Sequence, residues 1–267
     1  MGLFRNYNKE GPGVSKDAPE KRGFIVFFET YFRNFWKFVP MGAMYMAFSI
    51  LIIPYGIGAV GFTNVARNTA LGTHSFGFSD FFDTIKKNWK QALPAGIINS
   101  VLYALLIYST YYYYVSGQDF YNSAALGITL AMLFIFTIMN YYMWTLMITF
   151  KFSLKQIYKN SFKFVFLNFW KSLLCFVAII LVYAVYAIIP ILFVKFADFI
   201  IAVEIIIYLA TFPCFKYLLV QFCTFPAIKK FIIDPYYEQN PDLDIQKRLD
   251  LGLEVDGYSN TSDFEDF

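Results

Sequence analysis

The chain alternates between long apolar stretches and shorter polar stretches that contain lysines and aromatic residues. A helix crosses the hydrocarbon core of a bilayer with about 20 mainly apolar residues. Six stretches are candidates: about 38–54, 55–72, 92–114, 125–148, 172–194 and 199–222. The last four have the length and low charge of a span, whereas the first two are short and meet at Pro54. The pattern predicts an all-α polytopic membrane bundle of about six transmembrane helices, arranged as three hairpins.

An aromatic and basic segment precedes each predicted hairpin, and two of these segments align without a gap at an offset of 54 residues. FFET at 27–30 matches FFDT at 81–84, RN at 33–34 matches KN at 87–88, and Pro40 and Gly42 match Pro94 and Gly96. A weaker third copy repeats NFWK of 34–37 at 168–171. This internal repeat predicts an amphipathic helix on the inner leaflet before each hairpin.

Similar interface chemistry alone is the alternative explanation of the repeat, because a membrane surface selects aromatic residues and lysines. Asn34 and Asn88 are not explained in that way. We expect their side chains to hydrogen-bond a neighbouring helix end.

The distribution of lysine and arginine predicts the orientation, because these residues accumulate in cytoplasmic loops. With the N-terminus inside, the outer loops retain only Lys195 among the basic residues. An even number of spans then places both termini in the cytoplasm.

Composition agrees with lipid as the main solvent. The chain is 58% hydrophobic and 15% charged, against about 25% charged residues in soluble domains. Residues 1–37 hold seven basic side chains, whereas the stretch from Asp234 holds ten acids against Lys247 and Arg248. We therefore divide the chain into a basic cytoplasmic segment (1–22), a membrane domain (23–233) and an acidic cytoplasmic tail (234–267). No nucleic-acid recognition motif accompanies the basic residues, so membrane lipids are the expected partner.

Residues with catalytic potential are sparse. His74 is the only histidine, the three cysteines lack metal-binding spacing, and no carboxylate pair lies within an apolar stretch. We therefore expect no catalytic residues, no cofactor, no metal and no enzymatic activity.

Polar residues at membrane depth are the candidate contacts. Asn64, Arg67 and Asn68 share a helical face that can contact another subunit or an anionic ligand; an ordinary positive-inside anchor is the alternative. Glu204 lies near the outer end of the last stretch. Lys216 is expected to extend its stem towards cytoplasmic headgroups rather than to form a substrate or proton site. The candidate partner or ligand contacts are Asn34, Asn64, Arg67, Asn68, Asn88 and Glu204.

Several of these short patterns resemble one known family. The stretch from PYGIG at 54–58 through Arg67 to FFDTIKKNWKQ at 81–91 is similar to the hallmark region of the YesL family of bacterial integral membrane proteins. FSLKQIYKN at 152–160, NFWK at 168–171 and FPA at 225–227 extend the resemblance over about residues 25–240. That family has no established activity or catalytic residues. Its members tend to be encoded beside carbohydrate importers and polysaccharide-degrading enzymes, which implies a multi-pass protein of the bacterial cell membrane that takes part in carbohydrate uptake.

Three functions follow as hypotheses. The leading one is a non-enzymatic accessory subunit that binds an ABC-type sugar permease, because the spans offer few polar groups for a sugar path. A stand-alone secondary transporter for a sugar or small solute is the alternative. A membrane enzyme acting on lipid or cell-wall intermediates is the third.

Overall fold

The computed structural model describes residues 23–51, 55–73, 75–117, 119–193 and 197–239. These residues are helical apart from short turns, and they include no strand, which confirms the all-α bundle. The predicted N-terminal segment 1–22, residues 240–267 of the predicted tail, and Pro54, His74 and Lys195 lie outside the described residues.

The described helices follow one another with short connections. They are α1 (Gly23–Arg33), α2 (Phe35–Ile50), α3 (Tyr55–Ala70), α4 (Phe78–Val115), α5 (Phe120–Thr149), α6 (Leu154–Leu167), α7 (Phe169–Leu192), α8 (Ala197–Ile228) and α9 (Asp234–Gln239), with a π-helical turn (Lys229–Ile233) between α8 and α9.

Fewer helices than the expected six are long and apolar enough to cross a membrane. Among the described residues α4, α5 and α7 meet this condition. A fourth span is present if Ile200–Leu209 and Thr211–Glu238, which together run from α8 into α9 and are bent by 42° relative to each other, are counted as one. The helices α2 and α3 have 16 residues each, about 24 Å, which is shorter than a hydrocarbon core of about 30 Å. The expected spans at 38–54 and 55–72 are therefore not found as full-length helices.

The burial of α3 explains why residues 55–72 do not form a separate span. Its last two turns carry Asn64, Arg67 and Asn68, and ten of its 16 residues are buried against other helices. A Cβ added at Gly96 of α4 would stand 2.9 Å from the Cα of Gly56 of α3, so the two backbones cross in direct contact. Thus α3 packs inside the bundle, where protein replaces lipid as its surroundings.

The amphipathic helices are present, with one difference from the expected arrangement. Helices α1 and α6 are each separated by one residue, Asn34 or Asn168, from the helix that follows. The second copy of the repeat, at 81–96, has no such break and is part of the 38-residue α4. In α6 a capping box between Ser153 and Gln156 fixes the first turn. Its lysines Lys155, Lys159 and Lys163 are exposed on one face while Ile157, Ser161, Phe164 and Val165 are buried on the other.

The asparagines Asn34 and Asn88 of the repeat make the same bond, each to the backbone carbonyl four residues earlier. Asn34 Nδ2 donates to Thr30 O at 2.9 Å in the last turn of α1, and Asn88 Nδ2 donates to Thr84 O at 3.0 Å within α4. The expected contact with a neighbouring helix end is therefore wrong for Asn88, because α4 continues without a break, and Asn34 contacts only the end of the helix that directly precedes it. Asn168 of the weaker copy makes contacts between helices, donating to Tyr142 Oη at 2.9 Å and Cys223 O at 3.0 Å.

The bundle is packed unevenly along its axis. One end, where α4 begins, α5 and α8 finish and α7 begins, carries Lys87, Lys151, Lys171 and Lys229 and is called the lysine-rich end. Near it α5 is buried without a gap from 138 to 147, whereas 119–124 and 127–128 at its other end are mostly exposed. The core therefore fills the half of the bundle nearer the lysine-rich end.

Candidate functional site

A cavity of about 360 Å³ lies in the core, between α3, α4, α5, α7 and α8. This volume lies within the range of small-molecule sites, roughly 300–1,000 Å³. Its lining is mainly aromatic and polar rather than aliphatic, and we call it the tyrosine cavity after Tyr55, Tyr103, Tyr141, Tyr183 and Tyr217.

The first wall of the cavity is one face of α5. Thr137, Asn140, Tyr141 and Trp144 line the cavity at positions i, i+3, i+4 and i+7. This spacing places all four on one side of a helix. The same spacing in α7 supplies Phe176, Ile179, Ile180 and Tyr183. The cavity is therefore encoded as two helical stripes that face each other.

The third wall is the middle of α8, which contributes Lys216, Tyr217, Val220 and Gln221. Lys216 lies 12 residues before Ile228, the last residue of α8, which is about 18 Å along the axis. A four-carbon stem does not reach the lysine-rich end over that distance. The expected snorkelling of Lys216 is therefore wrong, because its side chain lines the cavity instead.

The Lys216 ammonium has no ion-pair or hydrogen-bond partner within the described part of the chain. The ring centroid of Tyr217 lies 5.8 Å from Nζ, near the outer limit of a cation–π contact. Tyr45, Tyr103, Tyr183 and Cys175 are near enough to interact with the ammonium electrostatically, but none of them carries a formal negative charge at neutral pH. No acidic side chain is among the described residues that line the cavity. A cation at membrane depth ordinarily pairs with another group, so this one is the most unusual feature of the core.

A chain of hydrogen bonds supports the α5 wall. Asn140 Oδ1 accepts from Asn99 Nδ2 at 2.7 Å, and Asn99 Oδ1 accepts from Tyr158 Oη at 2.8 Å. Asn140 Nδ2 donates to Phe136 O at 2.9 Å. The amide of Asn140 is therefore held in one orientation, and α6 is tied to the cavity through α4.

Two groups that line the cavity differ in what they can offer a ligand. Gln221 is already paired, since its Nε2 donates to Thr145 Oγ1 at 2.9 Å. Tyr141 is 6% exposed, and no described residue forms a hydrogen bond with its hydroxyl. The Tyr141 hydroxyl and the Lys216 ammonium are thus among the lining groups that can bind a solute.

Arg67, a predicted contact, lies in a separate polar cluster. Its Nη1 donates to Thr149 Oγ1 at 3.0 Å, and its Nη2 donates to Asn64 Oδ1 at 3.0 Å and to Asn68 Oδ1 at 3.4 Å. Asn64 Nδ2 in turn donates to Thr84 Oγ1 at 2.8 Å. The three predicted residues therefore do come together, and they join α3 to α4 and α5.

This arrangement does not match the anchor interpretation of Arg67, since the guanidinium turns towards other helices. An arginine side chain is protonated at neutral pH, so the cluster holds a positive charge. The Arg67 Nε is buried without a partner. The guanidinium is held mainly by neutral oxygen atoms.

The remaining predicted contacts lie elsewhere. Glu204 is in α8, 12 residues from Lys216 and outside the cavity lining, and its Oε1 is buried without a hydrogen-bond partner. Asn88 lines a shallow cleft of about 320 Å³ at the lysine-rich end, together with Lys87, Lys90 and Lys151. Asn34 lines neither space.

Sequence reasoning missed the tyrosine cavity, although one signal was present. Thr137, Asn140, Tyr141 and Trp144 form a polar and aromatic stripe at helical spacing within an otherwise apolar span. Such a stripe distinguishes a protein-facing or cavity-facing surface from a lipid-facing one.

Comparisons of the chain with protein families, with curated proteins and with solved structures found no match in any of the three.

Proposed function

We propose that this protein is a membrane component of solute uptake that binds a small, hydroxyl-rich solute in the tyrosine cavity. The observation that carries the proposal is a cavity of about 360 Å³ in the core of a membrane bundle, lined by hydroxyl, amide, ammonium and aromatic groups. A bundle that only had to be stable would fill this space with aliphatic side chains.

The chemistry of the lining favours a ring-shaped polar solute such as a sugar. The aromatic rings of Trp144 and Tyr217 offer apolar surface for the C–H face of a sugar ring, while the Tyr141 hydroxyl and the Lys216 ammonium offer hydrogen bonds to hydroxyl groups. The YesL-like patterns, which imply carbohydrate uptake, support the same class of solute.

The positive-inside rule supports a cytoplasmic position for the lysine-rich end. Four spans, α4, α5, α7 and the bent α8, then leave both termini in the cytoplasm of a bacterial cell. The short α2–α3 pair enters and leaves on that same side. The tyrosine cavity lies near the middle of the hydrocarbon core in this arrangement, since Lys216 is about 18 Å from the end of α8.

This proposal places the solute-binding alternative ahead of the accessory-subunit hypothesis, whose premise was a sparse polar lining. Thr137, Asn140, Lys216 and Gln221 converge on one space, so polar groups are concentrated rather than scattered. An accessory role remains the second candidate. It is supported by α7, in which only Ser172, Cys175 and Ile179 are buried, leaving a long apolar face for a partner helix or lipid.

Binding measurements on the purified full chain in nanodiscs test the proposal. We expect one or more simple sugars or sugar acids to raise the melting temperature, and Tyr141→Phe to weaken their binding about fivefold, the effect of about 1 kcal/mol for one lost hydrogen bond. The matched control is Tyr112→Phe, since Tyr112 lies on α4 with 53% exposure and outside the cavity. Equal effects of the two substitutions, or no binding of any sugar or sugar acid, would contradict the proposal.

Recovery of a permease with a gently solubilised, tagged copy tests the second candidate. Co-purification that survives Tyr141→Phe but is lost when bulky polar residues are placed on the exposed face of α7 would support an accessory role. A chain that binds solute and never recovers a permease would contradict it.

A further inference from the structure

We infer that the solute held in the tyrosine cavity carries a carboxylate or similar small anionic group, which pairs with the Lys216 ammonium. The inference rests on the proposed function, because it names the chemical class of the solute bound there.

The first observation is the net charge of the side chains that line the cavity. Lys216 of α8 is the one charged side chain among the described residues of the lining. The neutral ones come from every helix of the wall and include Thr63 from α3, Tyr103 from α4, Asn140 from α5 and Tyr183 from α7. Lysine ordinarily carries a positive charge at neutral pH. The described lining therefore has one positive charge and no negative one.

The second step is the energetic consequence of that charge. A buried ion without a partner is costly, and an ionisable residue at membrane depth ordinarily marks a functional site. The structure supplies no protein partner for Lys216 among the described residues. An anionic solute would supply the missing partner, whereas a cationic solute would be repelled.

The third step is the geometry around the ammonium. Tyr141 has a hydroxyl that bonds no described residue, so it can donate to a carboxylate oxygen. Trp144 and Tyr217 line the same cavity and add aromatic surface to it. The combination matches a solute with an anionic group at one edge and a hydroxylated ring body, such as a sugar acid.

The experiment compares two sugars that differ in one group. D-Glucuronate and D-glucose share the hydroxylated ring, and only the first carries a carboxylate. Calorimetric titration of the full chain in nanodiscs should show glucuronate binding at least tenfold more tightly than glucose. Acetate serves as the probe with charge and without the ring, and should bind more weakly than glucuronate.

Variants of Lys216 assign the preference to its charge. We expect Lys216→Met to remove the tenfold preference for glucuronate over glucose, while Lys216→Arg keeps a preference for glucuronate. The control Lys230→Met removes a lysine that is exposed on the π-helical turn, and should leave both affinities unchanged. A melting curve for each variant shows that it is folded.

The possible failures are distinguishable. Equal binding of glucose and glucuronate, unchanged by Lys216→Met, would overturn the inference and leave the proposed function standing. A preference for glucuronate that persists in Lys216→Met would also overturn it. Absence of binding by both sugars would overturn the proposed function and the inference together, and acetate binding as tightly as glucuronate would overturn the ring-shaped class.

Discussion

Two cations lie within this membrane bundle, and their surroundings differ. Arg67 donates three hydrogen bonds to Asn64, Asn68 and Thr149, and it holds α3 against α5. Lys216 faces a cavity of about 360 Å³ and bonds no described residue. One cation is part of the packing, and the other is available to a ligand.

Under the proposed function, the difference separates a charge that holds helices together from a charge that binds a solute. A guanidinium spreads its charge over a planar fork that neutral oxygen atoms can satisfy from several directions, so it suits a fixed joint between helices. An ammonium is a compact point charge on a flexible stem, so it can orient towards a ligand when one binds. Substitutions at the two sites should therefore change stability in opposite directions.

The comparison depends first on α3 being fixed against α4, and breaking that contact should have the largest effect. Gly96→Leu would force the α3 and α4 backbones apart, since a Cβ at Gly96 already stands 2.9 Å from Gly56 Cα. We expect a loss of about 3 kcal/mol in the free energy of unfolding, the upper part of the usual range for overpacking. Gly127→Leu is the matched control, because nothing lies within 4 Å of a Cβ built there. Equal denaturation midpoints for the two variants would refute this crossing.

Removing the structural cation should have the next largest effect. Arg67→Met would leave Asn64 and Thr149 without their charged donor, and we expect a loss of about 2 kcal/mol. Thermal unfolding in detergent measures it, with Lys230→Met as an exposed control. An unchanged melting temperature would show that the cluster around Arg67 contributes little to the fold.

Removing the other cation should stabilise the protein in the absence of solute. Lys216→Met replaces an unpaired charge with an apolar side chain of similar length, and we expect a gain of about 1 kcal/mol. The same unfolding assay measures it, and the sign relative to Arg67→Met is the decisive feature. A loss comparable to that of Arg67→Met would mean that Lys216 has a structural partner.

The smallest expected effect comes from the hydrogen bonds that support the α5 wall of the cavity. Tyr158→Phe removes the hydroxyl that donates to Asn99 Oδ1 at 2.8 Å, two steps from Asn140 in the cavity. We expect a loss of about 0.5–1 kcal/mol and a small weakening of solute binding. Tyr121→Phe, 81% exposed, is the control. If stability falls and binding is unaffected, the chain of hydrogen bonds does not orient the wall.

Hydrophobic pattern predicted the bundle because lipid imposes a simple rule on helix length and polarity. It succeeded where the helices face lipid, as in α7, which begins within three residues of its predicted start and ends within two of its predicted end. It failed at α2 and α3, because a short helix buried among other helices also has an apolar composition.

The candidate site was only partly predictable, for a reason that Lys216 illustrates. A lysine in an apolar helix has the same sequence pattern whether its side chain points to headgroups or to a cavity. The direction depends on its distance from the end of the helix and on the side chains of the helices that pack against it. Arg67, Asn64 and Asn68 were grouped correctly because they are close in sequence. The partners in α5 and α7 are distant in sequence, so spacing alone did not bring them together.

The most direct test of the account is whether water-soluble reagents reach the cavity wall beside Lys216 and whether a sugar acid blocks them. Val220→Cys, which lines the cavity one turn from Lys216 and leaves the ammonium in place, would be introduced where Cys175, Cys214 and Cys223 are replaced by alanine, and labelled with a small anionic methanethiosulfonate. We predict that labelling proceeds in nanodiscs and slows at least severalfold when D-glucuronate is present. Labelling that glucuronate does not slow, or that occurs only with lipid-soluble reagents, would contradict a solute-binding cavity around Lys216.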